Sequence, residues 1–176
     1  MAWSPDGQAL FVGTMVGLER VAVATGQSLW WQPAWGRLNA LALSPNGRWL
    51  AMAMGGALQA VALSEGGEWL AVTGWMADGW TGTWITIYAV KEGRRMASWA
   101  AAPGASIVAL AFGPAGRWLA SGASDGGMRV WRVPDGQELL QLEGHTGAVW
   151  AIQRSPDGRM RISGSLDGTV RIWTLP

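Results

Sequence analysis

The sequence predicts an all-β fold of short antiparallel strands organised in repeats. Three observations predict it. A four-residue turn recurs along the chain, a near-copy of one strand follows it, and no apolar stretch reaches helical length without a Gly or Pro breaker. Composition agrees, with 26 Gly and 14 Trp against two Phe and one Tyr in 176 residues. That glycine content is about twice the usual ~7%.

The turn appears as Ser4-Pro5-Asp6-Gly7, Ser44-Pro45-Asn46-Gly47, Ser64-Glu65-Gly66-Gly67, Gly113-Pro114-Ala115-Gly116 and Ser155-Pro156-Asp157-Gly158. Proline presets φ at its second position, Asp or Asn bonds its own backbone at the third, and Gly accepts positive φ at the fourth. Each is a tight turn between two strands. The strand before it, expected to be buried, is Leu41-Ala42-Leu43, Val61-Ala62-Leu63 or Leu110-Ala111-Phe112. The strand after it opens with Arg48-Trp49-Leu50-Ala51, Glu68-Trp69-Leu70-Ala71 or Arg117-Trp118-Leu119-Ala120. Trp49, Trp69 and Trp118 therefore hold equivalent positions and are expected to pack between repeats.

Successive turns begin 40, 20, 49 and 42 residues apart. Three of these intervals lie near the ~40–45 residues of a β-propeller blade of four strands. The interval of 20 predicts a repeat, 37–56, reduced to half a blade. The interval of 49 holds an insertion, Gly74 to Gly82, after the second strand of its repeat. One domain over 1–176 follows, with repeats at about 1–36, 37–56, 57–104, 105–145 and 146–176. Strand counts of four, two, four, four and three amount to an incomplete propeller of about four blades. Its unpaired edges invite association, so either further copies complete a ring or the chain is part of a longer propeller.

The last two repeats carry a more specific pattern. Gly144-His145 precedes an inner strand over 149–154, followed by the turn at Ser155, Arg161-Ile162-Ser163-Gly164-Ser165, Asp167-Gly168-Thr169 and Val170-Arg171-Ile172-Trp173. His145 stands 28 residues before Trp173. This resembles the WD-repeat family, clearly over about residues 105–176 and weakly before them. Thr174 and Arg132 stand where the aspartate of the Trp-Asp pair would be. The resemblance implies that His145, Ser163, Asp167 and Trp173 form a structural hydrogen-bonded tetrad. It implies a partial one at Ser121, Asp125 and Trp131, where Pro103 replaces the histidine. In the first repeat the corresponding positions fall on Val12, Val16 and Ala22.

The same resemblance directs partners to the face carrying the loop before the first strand and the loop after the second strand of each blade. Position by position this gives Arg37, Asn39, Gln59, Ser106, Ser124, Ala148, Trp150 and Leu166. Trp75 and Trp80 lie in the insertion on the same face. Being surplus to the repeat, they either fold onto the end of the propeller or meet a partner.

Chemistry is constrained by what is present. There is no Cys and His145 is the single histidine, which leaves no thiolate nucleophile and no multi-histidine metal set. Ser163, His145 and Asp167 could be read as a catalytic triad, but nothing in the sequence supplies an oxyanion hole or a pocket. No glycine-rich phosphate loop or calcium loop is present. The expectation is a non-catalytic protein without cofactor or metal, binding other proteins or peptides. The alternative is a propeller hydrolase or a small-ligand- or peptide-binding propeller.

With 13 basic and 12 acidic residues, a net charge of +1 gives no reason to expect nucleic acid or an anionic membrane as partner. Residues 96–116 are uncharged but broken by Pro103, Gly104, Gly113 and Pro114, so two strands are expected there rather than a membrane span. The start lacks a basic segment leading into an apolar one, so no signal peptide is expected and a cytoplasmic location follows. Lys91 is the single lysine, and the Arg-, Ala- and Gly-rich usage is that of a GC-rich bacterial coding sequence.

Overall fold

A computed structural model describes residues 1–33, 37–75, 82–155 and 160–174. Among them the chain forms five antiparallel sheets, each a meander of consecutive strands. The first sheet holds β1 (Ala2–Trp3), β2 (Ala9–Gly13), β3 (Gly17–Ala22) and β4 (Ser28–Pro33). The second holds only β5 (Leu38–Leu43) and β6 (Leu50–Met54). The third contains β7 (Leu58–Leu63), β8 (Trp69–Trp75), β9 (Gly82–Ala89) and β10 (Arg94–Pro103). The fourth contains β11 (Ile107–Phe112), β12 (Trp118–Ala123), β13 (Met128–Arg132) and β14 (Glu138–Leu142). The fifth is β15 (Val149–Arg154), β16 (Met160–Ser165) and β17 (Val170–Thr174). The all-β reading and the incomplete propeller are borne out, including the half blade. No sheet closes on itself, and the sole helical piece among the described residues is a 3-10 turn at Pro114–Gly116.

The first strands of successive sheets, β1, β5, β7, β11 and β15, contact one another in that order. The sheets thus radiate from a common axis. In the sheets between the two ends of the array, the alternate-residue faces of a strand point toward two different neighbours. Ala71, Ile85 and Ile87 are fully buried on one side of the third sheet, where they pack with Ile107, Leu119 and Trp131 of the fourth. Ala120, Met128, Val149 and Ile152 form the next cluster, between the fourth and fifth sheets.

The recurring turn has a function at its first residue that its Pro, Asp and Gly do not reveal. Ser4, Ser44 and Ser64 are buried. Each hydroxyl accepts the N–H five residues on: Ala9 at 2.8 Å, Trp49 at 2.9 Å and Trp69 at 2.9 Å. The serine thereby fixes the start of the next strand. Gly113 breaks the series because a Cβ there would run into the indole of Trp118. The turn is still closed by Gly116 N–H to Gly113 O at 3.1 Å, with Ala115 at φ 52° and Gly116 at φ 65°. The corresponding turn at 155–158 lies largely outside the described residues.

The repeated tryptophans do join sheets. Trp49 covers Gly67 and Trp69 covers Gly116, each on the turn of the following sheet. Trp118 lies beneath Arg161 of the fifth sheet, the guanidinium carbon 4.0 Å from the ring centroid.

Three expectations need correction. The insertion is shorter than its sequence limits, since Gly74 and Trp75 extend β8, Gly82 opens β9, and Trp75 pairs with Thr83. Leu41-Ala42-Leu43 is half-buried throughout rather than buried, its sheet having only two strands among the described residues, and Leu63, Leu110 and Ala111 of the other two runs are half-buried as well. Ala148 is buried, its carbonyl accepting Leu166 N–H at 2.8 Å, so it offers no side chain to a partner. Between Ile107 and Phe112, and between Arg94 and Pro103, the uncharged stretch is indeed two strands.

Candidate functional site

The first strands of the second to fifth sheets frame a cavity of about 750 Å³ on the axis of the array. Its walls are mostly Ala, Val, Leu and Ile, with Arg37, Asn39, Gln59, Gln153 and Trp150 as the larger polar or aromatic groups. Arg37 and Asn39 are exposed, and Trp150 is 61% exposed on β15. The structure brings these three candidates onto one cavity. Asn39 is held in place by its own amide, which donates to Gly55 O and, at 2.8 Å, to Leu58 O. Leu166 is 74% exposed in the loop after β16 and does not line the cavity. It neighbours the mouth through its bond to Ala148, one residue before β15. Ser124 is exposed and Ser106 half-buried, and they are tied by Ser106 N–H to Ser124 Oγ at 3.0 Å. Trp75 ends β8, while its side chain and the whole of Trp80 lie outside the described residues.

His145, Ser163, Asp167 and Trp173 meet in one chain of hydrogen bonds. Trp173 Nε1–H donates to Ser163 Oγ at 2.8 Å. Ser163 Oγ lies 2.8 Å from His145 Nε2, and His145 Nδ1 lies 2.9 Å from Asp167 Oδ2. A carboxylate only accepts, so Nδ1 carries the proton and Nε2 accepts from the serine. Ser163 and the His145 side chain have no solvent exposure. Sequence reasoning missed Thr146 and Thr169, whose backbone N–H groups donate to Asp167 at 3.0 and 2.9 Å. The Thr169 hydroxyl donates at 2.7 Å. The Asp-Gly-Thr spacing carried this signal, because Asp bonds readily to the backbone two residues on.

The preceding blade keeps only part of that chain. Trp131 Nε1–H donates to Ser121 Oγ at 2.8 Å, but Asp125 accepts from Gly127 N–H at 2.9 Å and stands apart from the serine. Where the histidine is missing, Thr83 of the neighbouring sheet ties the same loop. Its hydroxyl donates to Ala105 O at 3.1 Å and accepts from Ile107 N–H at 3.2 Å. Thr73 does similar work, donating to Ile107 O and accepting from Ala60 N–H, both at 3.1 Å. Both threonines are buried, and β-branched residues on a strand gave no hint of this role.

Two titratable groups stand out. The Thr169 hydroxyl, the Thr146 N–H, His145 and the Thr169 N–H hold the Asp167 carboxyl well below its ordinary 3.8. A carboxyl depressed on folding contributes stability that is full above its unfolded value and fades as pH falls toward the folded one. The melting temperature is therefore expected to drop below about pH 4, and Asp167→Asn should flatten that drop. A wild-type acid profile unchanged by Asp167→Asn would contradict this. Arg161 is buried, and burial, followed by Arg154, pulls it down to about 10. It stays cationic at neutral pH over the face of Trp118, a placement that suits the ring quadrupole.

Among the described residues no group of three or more His, Asp or Glu is placed to hold a metal ion. No helix among them is long and apolar enough to cross a membrane. No curated protein matches the chain. The family model for the WD domain, G-beta repeat, matches residues 95–132 and 136–174. Each match starts near or in the outer strand of one sheet and runs through three strands of the next, so the sequence repeat is offset from the sheet. WD repeats generally mediate protein–protein interaction. Residues 95–132 and 136–174 thus match the WD repeat, which is consistent with a WD-repeat family.

Proposed function

We propose that the protein is a non-catalytic interaction module that takes a peptide or a protein segment at the mouth of the axial cavity. The observation that carries this reading is the 750 Å³ cavity with exposed Arg37, Asn39 and Trp150 around it. A large aromatic left exposed beside a cation and an amide is the composition of a binding hot spot. Leu166 extends the apolar part of that rim. Trp75 and Trp80 belong to the proposed face by their place in the repeat.

In this reading His145, Ser163, Asp167 and Trp173 hold the fifth sheet to its loops. Their geometry is also that of a Ser-His-Asp triad, and burial supports the structural role over the catalytic one. A nucleophile must reach a carbonyl carbon, whereas Ser163 has 0% exposure and its oxygen already accepts the Trp173 indole N–H. Ser121 and Trp131 perform the reduced version in the neighbouring blade.

To test the module, a phage-displayed library of random dodecapeptides is panned on the full chain. Binders to the cavity mouth should lose affinity with Trp150→Ser and Leu166→Ser, both at exposed positions, without loss of folding. Binders indifferent to both substitutions would remove the mouth from consideration.

Self-association is proposed as a second property. The outward side of the first sheet carries Trp3 and Trp31, and that of the fifth carries Ile162, Val170 and Ile172, all exposed. Apolar groups so placed favour contact with another sheet. Sedimentation should reveal an assembly larger than a monomer that Ile162→Glu with Ile172→Glu dissociates. A monomer at all concentrations would refute it.

A further inference from the structure

The half blade leaves a slot in the array. β6 pairs with β5 alone among the described residues, so its other edge presents free backbone groups. The neighbouring sheets keep their third and fourth strands, which stand on either side of this edge as two walls. On the first sheet, Gly13 abuts Leu38 of β5, which identifies the side facing the half blade. Register puts Phe11, Arg20 and Trp30 on that same side. On the third sheet, Leu70 and Val72 face the half blade with Tyr88, Thr86 and Arg95 beside them in register.

Burial records the missing strands. On β8 and β9 the side toward the fourth sheet is closed, with Ala71, Ile85 and Ile87 at 0% exposure. Leu70, Val72, Thr86 and Tyr88, on the side toward the half blade, stay half-exposed. Trp30, Trp49 and Met52 are exposed around the same space. Beside β6 lies a cavity of about 150 Å³ lined by Trp49 and by Leu50, Ala51 and Met52 of β6, with Leu63, Leu70, Val72 and Val90 of the third sheet opposite. A cavity of about that volume in another protein binds benzene, so this one suits a single large apolar side chain.

We propose that this slot takes an extended segment of a partner protein as the third strand of the half blade, added antiparallel to β6. The slot lies between two blades that keep their third and fourth strands, so it has the depth to receive an added strand. Strand addition of this kind draws affinity from main-chain hydrogen bonds and specificity from pockets for alternate side chains. One alternate set would face Leu70 and Val72 and fill the cavity. The other would face Arg20 and Trp30.

Charge selects the partner's chemistry. Arg20 and Arg95 stand on the two facing walls, and among the described residues no carboxylate occupies the facing positions within their strands, Asp6 on the turn before β2 being within electrostatic reach of Arg20. Among the described residues Arg20 Nε is buried without a hydrogen-bond partner, and its guanidinium lies 5.9 Å from the Phe11 ring. The segment is therefore apolar on one alternate set and carries Asp or Glu on the other, opposite Arg20. This site is separate from the axial cavity, which opens among the first strands.

The library panned on the full chain tests it. Peptides that alternate apolar and acidic residues should be enriched. They should lose about tenfold or more in affinity with Met52→Asp, or with Arg95→Glu at an exposed position, where like charge is placed beside the ligand. N-methylation at alternate central residues should abolish binding in one phase and spare it in the other, as one edge of the added strand pairs with β6. Trp150→Ser should leave these peptides bound, which separates this site from the axial one. The proposal is overturned if no such peptides emerge or if their binding ignores Arg95→Glu. It is also overturned if that substitution instead dissolves a dimer, which would give the slot to a second copy.

Discussion

Trp118→Ala is expected to destabilise the protein by about 3 kcal/mol, the lower end of the range for Trp→Ala because the indole is only partly buried. The melting temperature falls by roughly 6–12 °C. The loss has two sources. The indole packs against the cluster of Ala109, Ala120, Met128, Val149 and Ile152, which joins the fourth and fifth sheets. It also forms the surface under the buried Arg161 guanidinium, 4.0 Å from its centroid, and a cation left over an empty space loses that interaction without regaining water. Trp150→Ala is the control, since at 61% exposure it should change stability by no more than about 0.5 kcal/mol. Equal melting temperatures for the two variants would show that Trp118 does not join the blades.

Ser163→Ala follows closely in size. The serine hydroxyl is the acceptor for Trp173 and the donor to His145, in a position with no exposure. Its removal leaves two groups short of partners at about 1–3 kcal/mol each, so a total of about 2–4 kcal/mol is expected once some relaxation is allowed. His145→Ala alone should cost about 1–3 kcal/mol. The double variant should cost less than the sum, because the two residues belong to one network. Thermal unfolding of the four proteins measures this directly. Additive losses would argue against a shared network, and ester hydrolysis lost in a folded Ser163→Ala protein would restore the catalytic reading.

What the sequence disclosed is what repeats locally. Turn chemistry and a strand of fixed composition recur with the blade, so the order of four, two, four, four and three strands could be counted from the turns at 4, 44, 64, 113 and 155. The equivalence of Trp49, Trp69 and Trp118 located the joints between sheets for the same reason. Contacts through space left no comparable trace. Thr83 serves the loop at Ala105 from a different blade, and its position on a strand looks like any β-branched residue. Ser4, Ser44 and Ser64 were visible as turn residues, but their bonds to the following strand depend on how tightly the turn folds back. Gly113, the departure from that series, is explained only by the ring of Trp118 above it. Ala148 occupied a face position by analogy with its neighbours, yet the close approach of Leu166 N–H buries it. The slot beside β6 was implied by the short interval of 20 residues, whereas its charged walls needed the register of two other sheets.

The proposed function rests on Trp150 at the mouth of the axial cavity, and one titration tests it. A library-selected peptide that competes for the mouth is labelled and titrated against the wild-type chain and against Trp150→Ser, with both melting temperatures recorded. Loss of a central aromatic anchor costs about 2 kcal/mol or more. The account therefore predicts binding weakened about 30-fold in a variant that melts at the wild-type temperature. Equal affinity for the two proteins would contradict it.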